Sequence, residues 1–338
     1  MSSLNKNLAQ AKRNKNDEFY TQLSDIEKEL YHYRDHFKGK VVYCNCDDPM
    51  ESSFFEYFAM SFKFLGLKKL ITSCYRSDNP AVRTSGVSDT GVWLEYNGEL
   101  DGTVSIEEIR AKVTVHNFKG DGDFRSEESI NLLKEADIVV TNPPFSLFRE
   151  YVAQLMEYGK KFIVLGNMNA TTYKEIFPLF KNNEIWYGPS ISSGDREFQV
   201  PESYPLTAAS SRVDDEGNKF VRVKGVRWFT NLDHSKRHED IILFRKYNEQ
   251  NYPNYDNYKA INVDKVADIP KDYDGVMGVP ITFLDKYNPN QFEIIDANDI
   301  RINDSVRVKP HGLIKDIEGS IGERIVYARI LIKKKGVN

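Results

Sequence analysis

Cysteine is scarce, with only Cys44, Cys46 and Cys74 in 338 residues. That is too few for a disulfide framework. A C-x-C pair with no second pair or nearby histidine is also a poor zinc pattern, so reduced core thiols are expected. Long apolar runs are missing too. No stretch approaches the ~20 residues that a transmembrane helix requires. The first residues are polar and carry no apolar signal segment, from which a cytoplasmic protein is expected. No glycine-rich loop follows the first apolar strand, so that crossover is badly suited to cradling a pyrophosphate. His32 and His36 lie one helical turn apart without the glutamate of a zincin, and no metal is expected there. His234 and His238 flank Lys236 and Arg237 in what reads as a solvated loop, and no Ser/His/Asp order emerges for nucleophilic hydrolysis. Charge of neither sign dominates: a net −4 neither advertises nor excludes a nucleic-acid partner, because such binding depends on local patches.

What is present suffices for a real core, since 40% of residues are hydrophobic and 12% aromatic. The length suits one large α/β domain with insertions, or two domains. The chain is organised around Ala136 to Phe145, A-D-I-V-V-T-N-P-P-F. Ile138, Val139 and Val140 form a short uninterrupted apolar run, as in a strand buried on both faces of a parallel sheet. Pro143 and Pro144 have no N–H and a fixed φ, so the backbone leaves the sheet in one stiff, extended turn. That turn holds the Asn142 amide, the carbonyls beside it and the Phe145 ring in a fixed relation at the carboxyl edge, where open α/β sheets bind ligands. A carboxamide oxygen and a carbonyl can both accept hydrogen bonds from one exocyclic amino group while an aromatic ring stacks on a planar base. The bland alternative is a proline-terminated strand with an asparagine beginning the turn.

Taken in order, the chain opens with a basic arm (Lys6, Lys12, Arg13, Lys15) and then N-D-E-F-Y-T-Q, Asn16 to Gln22. A helix capped by Ser24 and carrying Ile26, Leu30, Tyr33 and Phe37 is expected to end at Gly39. Val41 to Asn45 reads as the first buried strand. It runs into Cys46-Asp47-Asp48-Pro49, and Ser52 or Ser53 caps a helix with Phe54, Phe58, Phe62 and Leu65 on one face. Two carboxylates at a first crossover suit a cationic ligand, although D-D-P is also a common turn. Leu70 to Ser73 forms a second strand, and Asn97-Gly98 is a hairpin signal after Val92 to Leu94. Val113 to His116 leads into the loop Gly120-Asp121-Gly122-Asp123-Phe124, whose acidic residues do not continue at calcium-loop spacing. Ser126 and Ser146 cap the next two helices, Phe162 to Gly166 is a fifth strand, and Ile185 to Tyr187 a sixth. Val226 to Phe229 and Ile241 to Phe244 look like a closing hairpin, and a tyrosine-rich, β-rich region follows from Tyr247. Alternating strands and helices of this kind predict an α/β fold with a doubly wound, mostly parallel sheet and a terminal antiparallel hairpin.

T-N-P-P-F, Thr141 to Phe145, resembles the catalytic motif of amino-group methyltransferases that use S-adenosylmethionine. Together with D-E-F-Y-T near the start, C-D-D-P after the first strand and G-V-M-G-V-P-I-T-F-L in the last third, it makes nearly the whole chain resemble the EcoRI-type adenine-specific DNA methyltransferases. The resemblance implies a Rossmann-like methyltransferase domain over residues 1–246, with an insertion at about 190–224, and a smaller β-rich DNA-recognition region over 247–338. It implies that Asn142, Pro143, Pro144 and Phe145 are catalytic. It also implies that Phe19, Tyr20 and Thr21 contact S-adenosylmethionine, with Asp47, Asp48 and Pro49 at the first strand, and that Asp121 or Asp123 and Phe124 border its adenine. The first crossover departs from the common glycine-containing motif. Double-stranded DNA is the implied substrate, methylated on adenine N6 after base flipping, without a metal, by a monomer. The setting would be a restriction–modification system with a companion endonuclease, or a phage or mobile-element methylase. The same turn serves enzymes that methylate RNA adenine or a protein glutamine amide, and a DNA-binding protein of methyltransferase descent without turnover is a third reading.

Overall fold

The computed structural model describes residues 21–46, 48–75, 90–100, 104–192, 195–200, 206, 211–296, 319–322, 324–326 and 329–336. By contact the chain divides into two compact units, Met1–Met168 with Ser193–Leu232, and Asn169–Ser192 with Asp233–Asn338. Residues 233–246, grouped above with the first domain, pack with the C-terminal unit. No helix among the described residues is long and apolar enough to cross a membrane.

In the first unit, helix α1 (Leu23–Leu30) buries Ile26 and Leu30 and continues into a 3-10 turn, Tyr31–His36, that buries Tyr33. Its N-cap is Gln22, not the expected Ser24. The Gln22 carbonyl already accepts from Asp25 N and Ile26 N, which places Ser24 inside the first turn. Strand β1 (Val41–Cys44) is buried throughout. Helix α2 (Ser53–Met60) is capped by Ser52, whose Oγ accepts from Phe54 N at 3.1 Å and Phe55 N at 3.4 Å. This helix is buried more widely than a single stripe: Phe54, Phe55, Tyr57 and Phe58 all lie in the core. Burying each such ring stabilises the fold by about 2 kcal/mol. The short α3 (Phe62–Leu65) follows and ends at Gly66, in the left-handed region.

Strands β2 (Lys69–Cys74) and β3 (Val92–Tyr96) come next, then α4 (Ile106–Lys112), β4 (Val115–Asn117), α5 (Glu127–Glu135) and β5 (Ile138–Thr141). Helix α6 (Phe148–Glu157) and β6 (Lys161–Asn167) complete the succession. The chain then passes through the second unit's α7 (Phe177–Lys181) and β7 (Trp186–Tyr187). It returns as β8 (Asp195–Val200), β9 (Ser211–Val213), β10 (Lys219–Lys224) and β11 (Val226–Thr230). Within the first unit the central sheet runs β4-β3-β2-β1-β5-β6-β11. The four middle strands, β2, β1, β5 and β6, are mutually parallel, and β3, β4 and β11 are antiparallel additions at the two sides. The result is a mixed α/β fold around a large, mostly parallel core sheet. Strands β8, β10 and β9 form a separate three-stranded antiparallel sheet.

The second unit holds β12 (Ala260–Asn262), β13 (Val276–Pro280), β14 (Phe292–Ile294), the hairpin β15 (Gly319–Ile321) with β16 (Arg324–Val326), and β17 (Arg329–Lys334). Its main sheet has the order β12-β13-β17-β14. Several tyrosines of this tyrosine-rich region are core residues: Tyr252, Tyr255 and Tyr258 are buried.

Three expectations need correction. The terminal hairpin does not form. Strand β11 pairs antiparallel with β6, while Ile241 to Phe244 is irregular. That segment is clamped instead by one side chain: Ile241 N donates to Gln291 Oε1 and Gln291 Nε2 donates back to Ile241 O, each at 2.8 Å. Ile242 and Phe244 are left 86% and 59% exposed, so an apolar run did not mean a buried strand. Gly98 takes the positive φ of its turn signal, but β3 meets β4 only after α4, so the connection is a helical crossover. Ser146 does not cap α6. The Pro144 carbonyl accepts from Leu147 N at 2.9 Å, and a 3-10 turn over Phe145–Leu147 starts the helix.

Capping at α2 separates two adjacent serines. Ser52→Ala should cost about 1 kcal/mol of unfolding free energy. Ser53→Ala, inside the first turn, should stay within about 0.5 kcal/mol. Equal losses on urea denaturation would contradict the cap.

Candidate active site

Because β2, β1, β5 and β6 are parallel, the segments leaving Cys74, Cys44, Thr141 and Asn167 all emerge at one edge of the sheet. The Asn142–Phe145 turn leaves β5 there, Asp48 and Pro49 follow β1 there, and the Gly120–Phe124 loop sits against the end of β2.

After β5, Thr141 is fully buried, and Asn142 and Phe145 are each 8% exposed, with Pro143 buried and Pro144 half-buried between them. Pro144 has φ −52° and ψ 123°, an extended residue directly before the 3-10 turn. The stiff exit expected from the two prolines is therefore present.

After β1, the chain turns at Asp48. Its Oδ1 accepts from Met50 N at 2.8 Å, and its carbonyl accepts from Glu51 N and Ser52 N. Asp48 thus builds the turn that delivers Ser52 to cap α2, and Pro49 is buried beside it. Asp47, Phe19 and Tyr20 lie outside the described residues. Thr21 is buried, and its Oγ1 meets no hydrogen-bond partner among the described residues.

The loop Gly120 to Phe124 is seated against the end of β2. Gly122 has φ +77°, and a Cβ there would come 2.8 Å from the Cys74 carbonyl oxygen. Opposite it, a Cβ on Gly91 would fall 2.5 Å from the Asp121 carbonyl oxygen. Only glycine allows this backbone-on-backbone approach. Asp121 is exposed, and its Oδ1 accepts from Asp123 N at 3.1 Å. Asp123 forms a two-point fork with Arg125, Nε to Oδ1 at 2.9 Å and Nη2 to Oδ2 at 2.7 Å. Hydrogen bonding to Asp123 is the main cause holding the Arg125 guanidinium above its ordinary range. Phe124 is buried.

Helix α6 ties these loops together. Glu150 Oε2 accepts from Arg125 Nη1 at 3.0 Å, and Gln154 Nε2 donates to the Phe124 carbonyl at 3.1 Å. The Phe124 ring stands edge-on to Tyr151 at 5.2 Å and 74°. The Tyr151 hydroxyl donates to Asn45 Oδ1, at the first residue past β1. The sequence places Asn45 at the end of a strand and gives Tyr151 no distinguishing mark. Neither was read as part of the site, and the only available signal was Asn45's position just beyond a buried strand. Among the described residues, no three His, Cys, Asp or Glu side chains converge as a metal site. Cys44, Cys46 and Cys74 are not joined in disulfides.

Residues 7–335 match the family described as "Adenine-specific methyltransferase EcoRI". The chain is 51% identical to the "Type II methyltransferase M.EcoRI" of Escherichia coli over 336 residues, covering 99% of this chain and 98% of that protein. It is 40% identical to the "Type II methyltransferase M.MpnI" of Mycoplasma pneumoniae, over 96% of this chain and 97% of the relative. It is 39% identical to the "Type II methyltransferase M.MgeORF184P" of Mycoplasma genitalium, over 97% of this chain and 98% of the relative. No solved structure matches the chain.

The glycine contacts can be tested without reference to any reaction. Gly91→Ala and Gly122→Ala should each destabilise the fold by roughly 2 kcal/mol or more, through backbone overlap and, at Gly122, left-handed strain. Gly120→Ala, with nothing within 4 Å of the new methyl, should stay within about 0.5 kcal/mol. Thermal melting of the three variants is the check, and a wild-type Tm for Gly91→Ala would contradict the close approach.

Proposed function

The chain belongs to the family of adenine-specific EcoRI methyltransferases, and from that premise we propose that it is a site-specific DNA adenine N6-methyltransferase using S-adenosylmethionine. It would act in the cytoplasm as the modification component of a restriction–modification system. The observation that carries the reading is the rigid Asn142–Phe145 turn at the carboxyl edge of β5. The parallel strands β2, β1, β5 and β6 support the doubly wound, Rossmann-like arrangement of this enzyme class.

The residues present fit the cofactor. The buried Thr21 hydroxyl has an unused hydrogen-bonding capacity, and Asp48 offers a carboxylate at the first crossover in place of a phosphate-cradling glycine loop. Asp121 or Asp123 would accept from the cofactor's adenine amino group, with the buried Phe124 ring next to them in the same loop. Phe19, Tyr20, Thr21, Asp47, Asp48 and Pro49 complete the cofactor-binding set. When bound, S-adenosylmethionine supplies a methyl group on a sulfonium that departs as a neutral thioether, so no general acid is needed.

The target adenine is turned out of the duplex at an unstacking cost of a few kcal/mol. Asn142 Oδ1 and the Pro143 carbonyl accept the two N6 hydrogens, which draws electron density onto N6 and fixes its direction. Pro144 keeps the turn stiff, and the Phe145 ring holds the base plane. Catalysis is then positioning and electrostatic preorganisation. The β8–β10 insertion and the C-terminal region after Tyr247 carry DNA recognition.

Methyl transfer from labelled S-adenosylmethionine to unmethylated duplex DNA should yield N6-methyladenine. Asn142→Ala should abolish turnover, a loss of at least ~10²-fold, while cofactor affinity changes by no more than a few-fold. Near-normal turnover in that variant would sink the assignment. Transfer to RNA or protein, but not to DNA, would move the substrate class and leave the Asn142 chemistry in place.

A further inference from the structure

We propose that Tyr151 is a positioning residue whose hydroxyl, by holding the Asn45 carboxamide, fixes the loop after β1 relative to the Asn142–Phe145 turn. The inference rests on the reading of that edge as a methyl-transfer site.

Helix α6 begins directly after the turn, so the helix and Asn142 to Phe145 are fixed to each other. Its first residue is wedged in the core. The Phe148 ring lies so close to Gly166 of β6 that a Cβ there would fall 2.4 Å from it, and it packs on Phe229 at 4.8 Å. One turn later Tyr151 is fully buried, and its hydroxyl reaches across 106 residues of sequence to Asn45 Oδ1. Asn45 is itself 5% exposed, and the Cys46 thiol lies 3.8 Å from the same oxygen. On the same helix, Gln154 holds the Phe124 carbonyl, and Phe124 packs edge-on to the Tyr151 ring. One rigid helix therefore grips both loops assigned to the methyl donor while carrying the catalytic turn at its N-terminus.

Packing alone does not call for this arrangement. A buried hydroxyl–carboxamide pair desolvates two polar groups, and apolar residues of the same shape can be equally stable there. What the pair adds is direction. The hydrogen bond sets the height and rotation of Asn45, the first residue past β1.

Tyr151→Phe keeps the ring and its packing on Phe124 and deletes only the donor. We expect the Kd for S-adenosylmethionine, measured by calorimetry, to rise about tenfold, equivalent to ~1.4 kcal/mol. The KM for DNA should remain within about twofold, and kcat at saturating cofactor should fall about tenfold. Asn45→Ala should give the same pattern. The double variant should be clearly less impaired than the product of the two single effects, because both single variants remove the Tyr151–Asn45 bond. A lowered Tm with unchanged Kd and kcat would show a purely structural role and overturn the proposal, as would effects that multiply in the double variant. Wild-type protein that binds S-adenosylmethionine but leaves adenine unmethylated would refute the proposed reaction, with the calorimetric comparison still deciding the role of Tyr151. A wild-type chain that fails to bind it would overturn both.

Discussion

A strand buried on both faces has to leave its sheet without stranding polar backbone in the core, and much of this molecule follows from how β5 does so. Two successive prolines offer no N–H to satisfy, and the extended φ/ψ they impose carries the chain outward before any helix can begin. The first helical bond then closes on the Pro144 carbonyl, which places α6 at a fixed step from the sheet edge. The four parallel strands bring the other segments to the same edge, so one covalent restraint on β5 becomes the reference for all of them.

Around that reference the site is assembled by close contacts of different kinds. The Gly120–Phe124 loop is held by backbone packing that admits no side chain at Gly91 or Gly122. The loop after β1 is held by an aspartate turn, a serine cap and the Asn45 amide. Arg125 spans Asp123 and Glu150 at the surface, where screening leaves such pairs about 0–1 kcal/mol of stabilising value. The buried glycine and amide contacts therefore do more to define the geometry than the visible ion pairs.

Much of this was legible in the sequence, for definite reasons. Strands β1, β5 and β6 are short apolar runs because both faces of a parallel sheet are covered, and the N-P-P-F exit identifies itself by what proline cannot do. The helix starting at Ser52 and the helix after Ser126 follow from local capping chemistry, and both caps are present. What could not be read locally was pairing. Ile241 to Phe244 has the composition of a strand, yet Gln291, 50 residues away, takes both hydrogen-bonding groups of Ile241. Val226 to Thr230 found its partner in β6 rather than in the next apolar run. Tyr151 looked like any core aromatic, because its hydroxyl meets a residue 106 positions earlier in the chain. Hydrophobic periodicity reports burial, and it is silent about which distant polar group a buried oxygen will face.

The chain leaves its first compact unit at Met168, re-enters at Ser193 and leaves again at Leu232. Neither unit is a contiguous stretch of gene. A single recombination crossover cannot exchange one unit for a relative's while keeping the other whole, and truncation near residue 246 would cut into the second unit instead of removing it. Grafting either unit onto another chain requires three junctions, at 168/169, 192/193 and 232/233, designed together.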